Sequence, residues 1–118
     1  MSAQIPFAFV VGDQTLPAGT YELRRLGDDR YVLRIQNVDD RRDVAIFLTG
    51  LLDEGDSIRQ NQLVFHRYGD IYFLAAIISR YEGIARELQP TEQERRMERD
   101  LARNNNVPHS QSVVVIAN

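Results

Sequence analysis

The residues best suited to chemistry or binding lie in one short segment, Leu63–Leu74. His66 is one of only two histidines in the chain, and Arg67, Tyr68 and Tyr72 lie close to it in the sequence. A histidine can act as a general base near neutral pH, and an arginine can bind an anion. These four residues are therefore the predicted binding residues.

A structural role is the competing interpretation of the same residues. If the segment is a β-hairpin, side chains alternate between the faces of the sheet, so His66 and Arg67 point in opposite directions. His66 would then pack against Phe73, and Arg67 would stack on Tyr72. We prefer this interpretation, and an enzyme that uses His66 with a carboxylate such as Asp70 is the less favoured alternative.

Several reaction types lack the residues that they require. The chain has no Cys, and all 14 of its basic residues are Arg. Thiolate nucleophiles, disulfides and Schiff-base lysines are therefore excluded. His109 is far from His66 in the sequence, and the acidic run Asp53–Asp56 lacks the ligand series of a calcium-binding loop. We predict no catalytic residue, no cofactor and no metal, and we do not expect an enzyme.

Length and charge limit the class of protein further. A chain of 118 residues with 43% hydrophobic residues fits one domain, residues 1–118, with a core of its own. The net charge of −3 is spread along the chain, which argues against a nucleic-acid-binding protein. No run approaches the ~20 apolar residues of a membrane span. Met1–Gln4 does not resemble a signal peptide, so we expect either a cytoplasmic protein or one whose leader has been replaced.

The hydrophobic pattern has the period of two that is typical of strands. It predicts a mainly β fold, a compact antiparallel barrel or sandwich of about seven strands, with a β body over residues 5–81 and one C-terminal helix. Residues 5–11 are predicted to be one strand, 20–26 and 30–36 a hairpin, and 50–62 a surface loop. Residues 43–49 are apolar on both faces, which predicts a central strand.

The strongest local signal is the hairpin around Gly69-Asp70. Glycine suits the position of a two-residue type II′ turn that needs a positive φ. The turn fixes the cross-strand pairs, which are Tyr68–Ile71, Arg67–Tyr72, His66–Phe73 and Phe65–Leu74. Because its second strand is apolar on both faces, this hairpin is expected to lie at the centre of the fold and to be covered on both sides.

A charged helix is predicted from Thr91 to about Arg103. Thr91 and Glu94 have the spacing of a capping box, and Glu92 and Arg96 have the spacing of a helical ion pair. Few of the helix residues are apolar, so the helix should pack lightly on the sheet.

The tail, residues 107–118, has the composition of a strand. Val113, Val114, Val115 and Ile116 are apolar and uncharged, and such a strand is prone to aggregate if it stays unpaired. We expect it to pair with the sheet of its own domain. The alternative is that it is exchanged with a second copy, which would make these four residues the interface of a homo-oligomer.

Three segments resemble a family of small, uncharacterised and often exported bacterial β-domain proteins with no assigned activity. They are Ile5–Gly12, Leu16–Tyr21 and Leu63–Leu74, and with Arg86–Leu88 and the helix the likeness covers about 100 residues. The resemblance implies export and assigns no functional residue. The turn Leu16–Tyr21 also resembles that of carboxypeptidase-regulatory-like and other sandwich domains.

The function expected from these observations is that of a non-catalytic binding or protein-interaction module, associated with the cell envelope if the resemblance holds. Its partner would be a second copy or another protein, and we expect neither nucleic-acid binding nor a membrane span. A carrier that holds a small apolar ligand inside a barrel is the alternative.

Overall fold

The computed structural model describes residues 1–54, 58–80, 82–103 and 110–118, and it describes Asp53 and Glu54 by their backbone alone. Within these residues the chain forms eleven strands and one helix. In chain order they are β1 (Ser2–Ile5), β2 (Phe9–Val11), β3 (Gln14–Leu16), β4 (Gly19–Arg25), β5 (Val32–Asn37), β6 (Val44–Leu48), β7 (Gly50–Glu54), β8 (Asn61–Tyr68), β9 (Ile71–Ser79), β10 (Ile84–Glu87), α1 (Glu92–Arg103) and β11 (Gln111–Ala117).

The strands form two sheets that pack over a shared core. The first sheet has the order β1-β4-β5-β6, and the second has the order β11-β8-β9-β10-β7, with β2 pairing both β3 and β9. Neither sheet closes into a barrel. The mainly β class with a C-terminal helix is thus confirmed. The sequence left a barrel and a sandwich as alternatives. Two open sheets that share a core correspond to the sandwich.

The two sheets meet where the ends of the chain come together. The Ser2 amide donates to the Asn118 carbonyl at 3.1 Å, and the Asn118 amide donates to the Ser2 carbonyl at 2.8 Å. Strand β1 of the first sheet therefore lies beside β11 of the second.

The hairpin β8–β9 has the predicted register. Its cross-strand pairs include Tyr68–Ile71, Arg67–Tyr72, His66–Phe73 and Phe65–Leu74. Gly69 has a φ of 61°, the left-handed conformation that the turn requires and that glycine adopts without strain.

Three predictions about the strands are wrong. Residues 5–11 are two strands because Pro6 cannot donate a ladder hydrogen bond, so the chain leaves the first sheet after Ile5 and enters the second at Phe9. Residues 50–54 form β7 rather than a loop. Strand β6 is the last strand of its sheet rather than a central one. The chain also has more strands than the predicted number of about seven. Short strands such as β3 and β10 add to the total of eleven in the described residues.

The main core lies between the sheets. Its most enclosed residues come from both sheets: Ile5, Phe9, Tyr21, Ile35, Leu63 and Phe65. The rings of Phe9, Tyr21 and Phe65 make edge-to-face contacts with centroids 5.1 and 5.6 Å apart. Burial of these rings on one side of β8 supplies the packing that holds the two sheets together.

A second, smaller core lies on the outer face of the second sheet. Val10, Tyr68 and Phe73 are buried there beneath Met97 and Leu101 of α1. The helix has the predicted bounds, and the Glu94 amide donates to Thr91 Oγ1 at 3.1 Å, which is the N-cap half of a capping box. In the described residues no helix is long and apolar enough to cross a membrane.

The fully buried Phe65 provides a test of the main core. Replacing Phe65 with Ala should lower the free energy of unfolding by about 3–5 kcal/mol, because the substitution leaves a cavity between the sheets. Urea denaturation measures the change. Val38→Ala is the control, since Val38 is half exposed and its substitution should cost less than about 0.5 kcal/mol. Equal losses in the two variants would contradict the position of the core.

Candidate functional site

The hairpin places the predicted binding residues on two different faces. His66 and Tyr68 lie on the outer face of the second sheet, where Tyr68 packs on Phe73 with ring centroids 5.7 Å apart. Arg67 and Tyr72 lie on the other face. The four residues therefore do not form one site.

Arg67 and Tyr72 belong to a stack of side chains at the border of the main core. The guanidinium carbon of Arg67 is 5.5 Å from the centre of the Tyr72 ring, and Arg67 Nε donates to the Gly69 carbonyl at 2.7 Å. Tyr72 stacks on Phe7, with ring centroids 3.8 Å apart. Arg67 thus makes the cation–π contact that the structural interpretation predicted.

His66 and Tyr68 meet a carboxylate that the sequence interpretation did not assign to them. Glu94 Oε2 lies 2.9 Å from His66 Nδ1 and accepts a hydrogen bond from the Tyr68 hydroxyl at 3.0 Å. The Glu94 side chain is only 7% exposed, whereas the His66 side chain is 36% exposed. The acidic neighbour of His66 is therefore Glu94 of the helix, and not Asp70, the carboxylate named in the less favoured enzyme alternative.

The sequence does contain a signal for this contact. Glu94, Met97 and Leu101 have the spacing i, i+3, i+7, which places them on one face of the helix. Because Met97 and Leu101 supply the apolar contacts of α1, a carboxylate on their face is directed at the sheet. A capping box assigns the Glu94 side chain to the Thr91 amide, whereas in the structure that side chain contacts His66 and Tyr68.

Burial in this cluster changes the acidity of Tyr68. Loss of hydration raises the pKa of Tyr68 to about 12 and the Glu94 carboxylate adds to the rise, whereas a hydrogen bond with Ser110 opposes it. The neutral phenol therefore persists well above pH 10 as a donor to Glu94. This favours a role for the cluster in holding α1 on the sheet.

A histidine oriented by a carboxylate is also one half of a nucleophile-activating arrangement. Ser112 of β11 lies opposite His66 in the sheet. In the described residues, however, the hydrogen bond of His66 goes to Glu94 and none joins it to a serine. The same residues contain no group of three or more His, Asp or Glu side chains that could hold a metal. His109 and the side chains of the acidic run 53–56 lie outside what is described.

The tail pairs with its own domain. Strand β11 runs antiparallel to β8, with Val113 opposite Phe65 and Val115 opposite Leu63. Val113 and Val115 pack against the main core, whereas Val114 and Ile116 are 50% and 56% exposed on the outer face. The four predicted interface residues are thus divided between the core and the surface.

The most exposed apolar surface lies elsewhere, along β6 and β7. Of the nine exposed large hydrophobic side chains in the described residues, four fall between Ile46 and Leu52. Ile46 and Leu48 are 60% and 70% exposed. We call residues 44–52 the β6–β7 flank. Because only Thr49 separates the two strands, and each is the last strand of its sheet, they lie on the same side of the molecule.

The free edge of β6 has a defined hydrogen-bonding pattern. The Asn37 amide donates to the Asp43 carbonyl at 2.9 Å, and the Thr49 amide donates to the Tyr31 carbonyl at 2.7 Å. Bonded and non-bonded pairs alternate in an antiparallel ladder, so the odd-numbered residues of β6 bond to β5. The amides and carbonyls of Val44, Ile46 and Leu48 therefore point away from the sheet.

An apolar groove runs beside this edge. It has a volume of about 410 Å³ and is lined by Ile46 and Leu48 of β6, by Gly12 after β2 and by Leu88 after β10. No described residue pairs with the outward-facing backbone groups beside it, so an extended chain could lie there.

Two other cavities are lined in part by arginine side chains. One, of about 140 Å³, is lined by Arg86, which is 2% exposed and donates to Glu82 Oε2 at 2.8 Å and to the Arg30 carbonyl. The second, of about 410 Å³, includes Arg24 and Arg34 on the outer face of the first sheet. The pairing of Arg86 is that of a buried structural arginine.

Comparisons of the chain with known protein families, with curated proteins and with solved structures find no match in any of the three. The resemblance to exported bacterial β-domain proteins therefore stays a prediction. A proposed function has to rest on the geometry of the described residues.

Removal of the Glu94 carboxylate should loosen the helix. Glu94→Ala leaves His66 and Tyr68 without their acceptor and should cost about 1–3 kcal/mol of stability. Glu92→Ala is the control, because Glu92 is 59% exposed and its ion pairs with Arg96 and Arg99 contribute less than about 0.5 kcal/mol. Urea denaturation and hydrogen exchange of the α1 amides measure both. The same loss in each variant would show that Glu94 does not anchor α1.

The raised pKa of Tyr68 predicts a dependence of stability on pH. The folded protein binds the phenolic proton more tightly than the unfolded chain, whose tyrosines have a pKa near 10.0. The resulting stabilisation is complete below pH 10 and is lost as the pH rises towards 12. The free energy of unfolding should therefore fall more steeply between pH 10 and 12 in the wild-type protein than in Tyr68→Phe. Parallel slopes would contradict the buried donor.

Proposed function

We propose that this protein is a non-catalytic interaction module that binds an extended segment of a partner protein along the free edge of β6. The observation that carries the proposal is the row of outward-facing backbone groups at Val44, Ile46 and Leu48. A strand added to this edge would form the hydrogen bonds that β5 forms on the other side.

The composition of the flank supports the proposal. Natural edge strands are normally protected by charged residues, proline, bulges or a covering loop, because an open edge invites pairing with other chains. Residues 44–52 contain no charged residue and no proline. An unprotected apolar edge is consistent with a surface that is covered when a partner binds.

The groove beside the edge could determine which peptide sequences bind. In strand addition, backbone hydrogen bonds provide affinity while pockets for alternate side chains provide specificity. The walls formed by Leu48 and Leu88 favour apolar side chains at alternate positions of the bound segment. We therefore expect a ligand that is uncharged and rich in β-branched or aromatic residues.

The alternative functions receive less support. A carrier was expected to hold its ligand inside a barrel, and the sheets do not close into one. The apolar groove lies at the surface, where a peptide fits better than an enclosed small molecule. Catalysis by His66 would need a hydrogen-bonded nucleophile or a substrate pocket. In the described residues its hydrogen bond goes to Glu94, and the three cavities described above are lined by other residues. Association with the cell envelope rests on the family resemblance alone.

Selection from a random heptapeptide library tests this function. The enriched peptides should be uncharged and should protect the amides of Val44, Ile46 and Leu48 from hydrogen exchange in NMR spectra. Ile46→Glu should weaken their binding by at least about tenfold, because a charge then lies where the added strand packs. In the unbound protein the new carboxylate faces Arg34 across the strand pair, so the fold should be retained.

Ile116→Glu is the matched control. Ile116 is an isoleucine of almost the same exposure as Ile46, but it lies on β11. It should leave peptide binding unchanged. Peptides that bind Ile46→Glu as tightly as the wild-type protein, or that protect β11 amides instead, would contradict the proposed function.

A further inference from the structure

We infer that the segment bound at the edge of β6 is the same strand of a second copy, which pairs antiparallel across a two-fold axis at Ile46. This inference rests on the proposed function and names the partner. The first sheets of the two copies would then join into one sheet of eight strands.

The backbone of β6 permits this pairing. In an antiparallel ladder, hydrogen-bonded residues lie directly opposite one another on both strands. The outward-facing residues of β6 are Val44, Ile46 and Leu48, so a two-fold axis at Ile46 places Ile46 opposite its own copy and Val44 opposite Leu48. This register engages every outward-facing residue of the five-residue strand, and a shift by two residues in either direction leaves some of them unpaired.

The side chains are complementary in the same register. Val44, Ile46 and Leu48 project from one face of the sheet, and cross-strand pairs of β-branched and other apolar side chains stabilise a ladder. The charged residues nearest to the strand are Arg42 and Asp43, which fall opposite Gly50 and Thr49 of the other copy. No like charges therefore face each other, and nothing in the sequence of the flank opposes self-pairing.

The exposed residues of β7 extend the contact. Leu51 and Leu52 are exposed on the same flank, two and three residues beyond Thr49. When two copies meet at β6, the ends of their second sheets approach each other as well. Leu51 and Leu52 would lose part of their exposure to water, which adds apolar burial to the hydrogen bonds of the edge.

The symmetry also limits the assembly. A two-fold contact uses the same patch on both copies, so it ends at a dimer and leaves no free β6 edge for further growth. The opposite edge of the first sheet, β1, lies beside β11 of the same chain. Self-pairing at β6 thus removes the aggregation risk of the apolar edge in a closed assembly.

Sedimentation equilibrium of the full chain from about 1 μM to 1 mM tests for the dimer. The wild-type protein and Ile116→Glu should both dimerise. Ile46→Glu should raise the dissociation constant at least about tenfold, because it places two carboxylates opposite each other at the axis. Circular dichroism checks that each variant is folded.

Single cysteine substitutions test the register of the β6–β6 pairing without introducing a charge. The chain has no Cys, so an introduced thiol has no competitor. Ile46→Cys should form a disulfide-linked dimer on mild oxidation, since Cα atoms in a hydrogen-bonded pair are about 5.5 Å apart. Val44→Cys alone should not, because its two copies would be about 14 Å apart along the strands. A mixture of Val44→Cys and Leu48→Cys should form the mixed dimer.

The outcomes separate this inference from the proposed function. A wild-type protein that stays monomeric but binds heptapeptides at β6 would overturn the second-copy inference and leave the proposed function standing. A dimer that Ile116→Glu disrupts and Ile46→Glu does not would place the interface on the tail and overturn the inference. A dimer with efficient Val44→Cys self-crosslinking would overturn the register centred on Ile46.

Discussion

The hairpin β8–β9 is apolar on both faces, and most of the structure follows from the need to cover it. Phe65 on the inner face and Phe73 on the outer face are both almost completely buried. A strand pair of this kind cannot face water on either side without a large loss of hydrophobic stabilisation. The first sheet covers the inner face, and α1 covers part of the outer one.

The first sheet and α1 are held on the hairpin by different interactions. The inner face is sealed by aromatic and aliphatic packing between the sheets. The helix offers only Met97 and Leu101 as apolar contacts, so it depends on Glu94, whose buried carboxylate is costly unless donors surround it. His66 and Tyr68 supply those donors. The histidine that looked most like a catalytic residue in the sequence therefore helps to dock a polar helix.

The sequence predicts those features that local geometry determines. The two-residue turn at Gly69 correctly predicted the four cross-strand pairs of β8–β9 nearest to it. The Thr91–Glu94 spacing and the charged residues after it correctly predicted the bounds of α1. The sequence was less informative where the outcome depends on a distant neighbour. The alternation of β6 indicated two apolar faces, but it could not indicate whether a further strand of the chain pairs with the far edge of β6. The side-chain partners of Glu94 were missed for the same reason, since they come from a hairpin 26 and 28 residues away.

The paired ends of the chain have a practical consequence for work on this protein. Ser2 and Asn118 exchange two backbone hydrogen bonds, so the termini lie side by side, at the edge of the first sheet opposite to β6. A short linker between them would give a cyclic protein or a circular permutant opened at an exposed turn such as the one at Gly27. Tags or surface tethers attached to either terminus would sit on the far side of the molecule from Ile46.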